Sequence, residues 1–285
     1  MTLLPTLPTR WLPTRWLPNF PAYATPLDKL GWWALRVTCI GVLGFLLLPI
    51  LVIIPLSFSS SSFLVYPVPG WSLRWYENLF TSAEWGRAAR NSFIVAPAAT
   101  LIATTLGTLA AVGLVNTKLP FKGLLMSLLI APMVVPIVVV GVATYLFFAP
   151  LGLADSYAAL ILVHAALGAP FVLTTVLATL QGFDQNLVRA SLSLGETPLR
   201  SFFRITLPVI APGVISGALF AFATSFDEVV VALFLAGPEQ LTLPRQMFNG
   251  IRENISPTIA AVATLLIAFT TSLLLVLEWL RGRRR

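Results

Sequence analysis

The amino-acid sequence predicts an all-α integral membrane protein of six transmembrane helices, with a short amphipathic elbow between the fourth and the fifth. Three observations predict it. Apolar residues fill 57% of the 285 positions and charged ones only 10%, against about 25% charged in a soluble domain. The apolar residues gather in six runs, each long enough to span, since about 20 residues cross the hydrocarbon core. The basic residues between those runs divide unevenly. Arg10, Arg15, Lys29, Arg36, Lys118, Lys122, Arg189, Arg200, Arg204, Arg281, Arg283, Arg284 and Arg285 fall on one side of a six-span topology. Arg74, Arg87, Arg90, Arg245 and Arg252 fall on the other. The excess of cations marks the cytoplasmic side, so both termini and the elbow are expected there.

Taken in order, residues 1 to 31 carry the repeat TRWLP-TRWLP (Thr9–Pro13, Thr14–Pro18). Pro5, Pro8, Pro13, Pro18, Pro21 and Pro26 argue against a regular helix. The segment reads as an extended cytoplasmic tail whose tryptophans rest at the interface, or equally as a disordered leader. It lacks the pattern of a cleaved signal peptide. Val37 to Leu56 is the first span, and Ser57 to Arg90 a wet stretch with interfacial tryptophans and tyrosines. Asn91 to Val115 is the second span. Its recurring small residues Ala103, Gly107, Ala110 and Ala111 would let another helix approach closely. Gly123 to about Phe148 is the third, interrupted by Pro132 and Pro136. The fourth runs from about Tyr157 to Leu180, the fifth from Val214 to Ala236 and the sixth from Ile255 to Leu277. Gly237 to Asn254 is a second wet loop. Residues 32–281 are thus the membrane domain, and 282–285 a basic tail.

The stretch Leu187–Gly213, LVRASLSLGETPLRSFFRITLPVIAPG, is the elbow. Leu187, Ala190, Leu192 and Leu194 are the apolar positions of a first short helix. Gly195 ends it, because glycine adopts the positive φ that a helix C-terminus often needs. Thr197 then Pro198 reads as an N-cap and a first helical residue. A second helix follows, with Leu199, Phe202, Phe203 and Ile205 apolar and Arg200 and Arg204 polar. Pro208 and Pro212-Gly213 are expected to break the chain before the fifth span.

Asp227-Glu228 is the other unusual feature, placed inside the fifth span. A carboxylate near the bilayer centre costs about 2.5–3.5 kcal/mol on insertion scales, so it tends to face a cavity or a partner. Either the pair lines a solute path and attracts cations, or it bonds a neighbouring helix or closes a gate. His164 and Cys39 are single and lie in apolar runs. One histidine builds no zinc site, so His164 reads as packed and hydrogen-bonded, and Cys39 as a small apolar filler. No G-x-x-x-x-G-K-[ST], H-E-x-x-H or G-x-S-x-G is present, which leaves no visible energy source and no enzyme motif. The charge of +7 falls at loops and termini, as topology demands rather than nucleic-acid binding.

Ala190-Ser191, three residues, Gly195, nine residues, then Ile205-x-Leu207-Pro208 resembles the cytoplasmic loop of ABC-importer permeases, Glu-Ala-Ala-x3-Gly-x9-Ile-x-Leu-Pro. Arg189 stands where that pattern has Glu, and Ser191 where it has the second Ala. Ser225–Gly237, Thr242–Met247, Ile251–Pro257 and Tyr66–Tyr76 resemble the spermidine/putrescine branch, and the likeness covers about residues 35 to 280.

The resemblance implies a type I ABC importer permease fold and a bacterial inner-membrane location. It implies half of a translocation pathway for a small cationic solute such as a polyamine. The partners implied are an ABC ATPase dimer, a second homologous permease, a periplasmic binding protein and membrane lipid. ATP and magnesium would belong to the ATPase, with no cofactor in this chain. Arg189, Ala190, Ser191, Gly195, Ile205, Leu207 and Pro208 would couple to the ATPase through a coupling helix. Asp227 and Glu228 would be pathway or gate residues. The alternative is an ion-coupled secondary transporter that uses Asp227 or Glu228 as its ion site.

Overall fold

The computed structural model describes residues 25–116, 120–253 and 255–282. The TRWLP repeat, Lys118 and Arg283–Arg285 lie outside the described residues. Two compact units are distinguished, one up to Pro55 and one from Leu56 onward.

The first unit is essentially α1 (Pro26–Ser57). It starts earlier than residues 1–31 as a tail would allow. Thr25 and Asp28 form a reciprocal cap: Thr25 N–H donates to Asp28 Oδ2 at 2.8 Å and Asp28 N–H to Thr25 Oγ1 at 3.2 Å. Pro26 therefore opens the helix instead of preventing it, since an N1 residue needs no N–H. Consecutive residues Leu43, Phe45, Leu46, Leu47 and Leu48 are all exposed, so α1 is apolar on every side, as a lipid-facing helix is. Cys39 is exposed on it.

In the second unit the chain runs through α2 (Arg74–Thr81), α3 (Ala83–Asn116), α4 (Lys122–Val134), α5 (Ile137–Phe148) and α6 (Tyr157–Leu180). It continues through α7 (Asn186–Ser193), α8 (Pro198–Ser201), a π-turn (Phe202–Thr206), α9 (Leu207–Phe226), α10 (Val230–Leu235), α11 (Leu243–Glu253) and α12 (Pro257–Gly282). Among the described residues there is no strand beyond one isolated bridge between Ser59 and Trp71. The core is built by α3, α6 and α9, around Ala103, Ala111, Leu173, Val176 and Ile210. Val172 of α6 is approached from two sides. A Cβ on Gly107 would lie 2.7 Å from its Cβ, and one on Gly217 2.7 Å from its Cα. Glycine is required there because lipid supplies no hydrophobic drive, so helices associate through close van der Waals contact. The small residues expected to do this in the second span do so.

Among the described residues four helices are long and apolar enough to cross a membrane, and five if α4 and α5 count as one span. The sixth expected span is α12, whose described apolar stretch, Pro257–Leu273, is shorter. Three expectations change. First, α4 and α5 meet at a bend of 102°. Pro136 makes it: a proline pushes the preceding residue out of the helical region, and Val135 is extended at ψ 133. Pro132 stays inside α4 without breaking it. Second, Pro208 and Pro212 do not interrupt the chain, which stays helical from Pro198 to Phe226. The π-turn lies immediately before Pro208, and Leu207 N–H bonds back five residues to Phe202 C=O. This wider turn accommodates the proline ring and its missing donor. Third, the fifth span does not reach Ala236 unbroken. It stops at Phe226, and the chain is irregular from Asp227 to Val229 before α10.

Both wet loops contain helix. α3 begins at Ala83 rather than Asn91, and Gly237–Asn254 holds the amphipathic α11 with Leu243 and Pro244 buried.

Candidate functional site: the two ends of helix α9

At the N-terminal end of α9 stands the elbow. Asp184 Oδ1 accepts from Asn186 N–H at 2.9 Å and starts α7. Gly195 takes φ +88 and ends it, as its sequence position predicts. Gly195 N–H reaches Leu192 C=O at 3.0 Å and Glu196 N–H reaches Ser191 C=O at 3.2 Å, closing the paired bonds of a helix C-cap. Thr197 caps α8 by accepting from Arg200 N–H at 3.4 Å, with Pro198 at the first turn. Across the turn, Arg204 pairs with Glu196.

The motif residues divide into two groups. Ser191 is buried, and Ile205 and Leu207 pack against the α3–α6–α9 core together with Val188. Arg189, Ala190, Gly195 and Pro208 face outward. Around the outward group stand Leu187, Leu199 and Phe203, and at the tip Leu194 is 86% exposed. The elbow therefore presents an apolar knob flanked by Arg189 and Arg200. Beneath it lies a cavity of about 230 Å³ lined by Val112, Leu180, Phe183, Val188 and Phe202.

At the other end, Asp227 closes α9, its N–H bonded to Ala223 C=O at 3.0 Å. Its side chain is exposed. Glu228 is engaged instead: Oε1 accepts from Val231 N–H at 2.9 Å and starts α10. The two carboxylates are thus not on one continuous helix, and they have different surroundings. Leu207–Phe226 is about 30 Å long at 1.5 Å per residue, close to the hydrocarbon thickness. Asp227 accordingly lies at the end of this helix rather than at its middle. Two residues before it, Ser225 bonds His164 Nδ1 of α6 at 2.9 Å, both buried. His164 is packed and hydrogen-bonded, as expected.

Sequence reasoning missed the clamp around this end. Arg87 at the head of α3 donates to both Glu239 carboxylate oxygens at 2.8 Å. Asn91 donates to Glu239 C=O at 2.8 Å and Leu241 C=O at 2.9 Å, and accepts from Tyr157 O–H at 2.7 Å. Ser92 Oγ accepts from Leu243 N–H at 2.8 Å, and Asp155 N–H reaches Leu235 C=O at 3.2 Å. The heads of α3 and α6 are thereby tied to the loop after α10. Beside the clamp a cleft of about 460 Å³ is lined by Glu84, Arg87, Glu239, Gln246 and Glu253. On α11, Arg245 donates to Asn249, and burial first, then the charge of Arg252, lowers its pKa from the usual guanidinium value. No local signal marks these partners, which lie more than 60 residues apart. Among the described residues no group of three or more His, Cys, Asp or Glu is placed to hold a metal.

Against known proteins, residues 103–285 match the family model described as binding-protein-dependent transport system inner membrane component. The putrescine transport system permease protein PotI of Escherichia coli (strain K12) is 35% identical over 257 residues, 87% of this chain and 88% of the relative. The spermidine/putrescine transport system permease protein PotC of Haemophilus influenzae is 30% identical over 235 residues, 82% of this chain and 91% of the relative. In fold, the chain is similar to one from a bacterial ABC transporter involved in the import of the acidic polysaccharide alginate. That match has a TM-score of 0.69, 13% identity, and covers 92% of this chain and 99% of the other. With a model that spans well over half of it and a relative this similar over most of its length, the chain belongs to the family of binding-protein-dependent transport system inner membrane components.

Proposed function

We propose that this permease forms half of a translocation pathway for a small cationic solute of the polyamine class, and that a separate ATPase drives it through the elbow Asn186–Pro208. The observation that carries the coupling part is the exposed knob. Leu194 is 86% exposed at the tip of a turn whose other face is built into the core. Apolar side chains flanked by arginines, in a chain otherwise adapted to lipid, fit a protein partner with an apolar groove and acidic rim. The outward motif residues Arg189, Ala190 and Gly195 would touch the ATPase. Ser191, Ile205 and Leu207 would transmit its motion, and Pro208 would start the driven helix.

The solute class rests on the relatives, named for putrescine and for spermidine/putrescine, and on Asp227. Along α9 the outward residues Pro212, Phe220 and Ala223 end at this exposed carboxylate. A charge there suits the mouth of a watery path, where it would raise the local concentration of a polycation. Glu228, as the cap of α10, is the gate candidate.

In this reading α12 is the sixth span, both termini are cytoplasmic, and the protein is a multi-pass component of a bacterial inner membrane. It would pair with a second permease above two ATPase subunits, which hold ATP and magnesium, and receive solute from a periplasmic binding protein. The helix break at Asp227–Val229 is also what an ion-coupled transporter would use. Uptake of labelled putrescine into proteoliposomes decides. Uptake that needs ATP, the ATPase and the binding protein supports the proposal, whereas uptake by this chain alone under an ion gradient overturns it. A Leu194→Cys cross-linker that captures the ATPase tests the knob directly.

A further inference from the structure

Between Asn186 and Pro208 Glu196 is the one acidic residue, among Arg189, Arg200 and Arg204. Its backbone already serves the turn, closing onto Ser191 C=O. Its side chain does something the turn does not require: Oε1 accepts from Arg204 Nη1, eight residues on. The pair joins the residue that follows the left-handed Gly195 to the π-turn Phe202–Thr206 that contains Arg204. The π-turn runs without interruption into α9.

Burial shows which partner is held. The Glu196 side chain is 25% exposed and its Oε2 is enclosed without a hydrogen-bond partner, whereas Arg204 is 69% exposed. Packing thus fixes the carboxylate, and the guanidinium comes to it. An ion pair with one partner mostly in water adds little to stability. Its geometric effect is larger. Gly195 is the natural hinge of the elbow, and a force on Leu194 would bend the chain there. The Glu196 N–H bond to Ser191 C=O crosses that hinge, and the ion pair extends the hold of the same residue to Arg204, just before α9. It also occupies one arginine of three, which leaves Arg189 and Arg200 on the outward face.

We infer that Glu196 and Arg204 form a strut from the α7–α8 turn to the π-turn, completing the link that the Glu196 N–H makes back across Gly195 to Ser191, so that the elbow and α9 move as one body when the ATPase closes. They are a positioning pair for coupling, not contacts to solute or nucleotide. The inference rests on the reading of the elbow as the ATPase docking element.

The test uses the complete importer in liposomes, with labelled putrescine as the probe and the number imported per ATP hydrolysed as the readout. Glu196→Gln and Arg204→Gln should each lower that ratio about three- to tenfold, the range of mutations along a coupling route. The double variant should be no worse than the poorer single, because both remove one contact. Arg204→Lys, which keeps the charge, should recover most of the ratio. Unchanged ratios in the singles, losses that multiply in the double, or a lysine variant as poor as glutamine would each overturn the strut. Cross-linking from Leu194→Cys in an otherwise unchanged chain separates the two ideas. Capture of the ATPase with unmoved ratios sinks only the strut, and no capture sinks the docking reading itself.

Discussion

The two ends of α9 are organised in opposite ways. The elbow is built from neighbours: Asp184 starts a helix, Gly195 ends it, Thr197-Pro198 starts the next, and Glu196 reaches Arg204 within the same stretch. The Asp227 end is built from strangers, with Asn91, Tyr157 and Glu239 meeting from three distant parts of the chain. The elbow keeps Leu187, Leu194, Leu199 and Phe203 outside, and the clamp buries Asn91 completely, at 0% exposure. A locally coded element can keep its shape while it moves against a partner. An element coded by long-range bonds holds only while the helix heads stay together. Under the proposed function, this difference would suit motion at the elbow and a fixed arrangement at the Asp227 end.

The sharpest way to break this contrast is Asn91→Ala. It leaves the carbonyls of Glu239 and Leu241 and the Tyr157 hydroxyl without their amide partner, at a cost of about 1–3 kcal/mol. Thermal unfolding of the detergent-solubilised protein should show the loss, and a stability within error of the parent would mean the clamp does not hold this end. Next comes Gly195→Val, which forces a β-branched residue to φ +88, a strain of about 1–2 kcal/mol. Here the loss should appear as about tenfold lower ATP-driven uptake, with the core's melting little changed because the elbow is peripheral to it. Equal damage to melting and uptake would erase the distinction between the ends.

The acidic pair should then separate by role. Glu228→Ala removes a cap worth about 1 kcal/mol and should lower stability. Asp227→Asn should spare stability and weaken the apparent affinity for putrescine about threefold, as loss of an exposed attracting charge does. The reverse assignment, read from melting curves and uptake kinetics side by side, would refute the division. The smallest effect belongs to Glu239→Gln. Its ion pair with Arg87 is 42% and 68% exposed, so the change in stability should be small, and salt should diminish it. If added salt leaves the difference between variant and parent unchanged, the pair is not acting through charge.

Much of the elbow could be read directly, because the residues that shape it act on their own backbone or one turn away. Glycine at a positive φ and proline after a capping threonine mean the same thing in most settings. Proline was less readable inside long apolar runs. Pro136 breaks its helix while Pro132, Pro208 and Pro212 do not. At Pro208 the wider π-turn absorbs the lost bond, and a proline alone does not announce such a turn. Asp227 and Glu228 stand out in the sequence as adjacent carboxylates in an apolar run. Their separation into an exposed carboxylate and a helix cap was not visible, because one continuous helix was assumed.

By itself the sequence determined the apolar spans, the elbow's turn and the family, since hydropathy and φ-specific residues act locally and survive without knowledge of neighbours. Only the tertiary structure decided where the fifth span stops, which prolines bend, and which residues of α3 and α6 fasten the loop after α10. The last of these depends on partners more than 60 residues away, and a buried hydrogen bond exists only once both of its groups have been brought out of solvent to the same place.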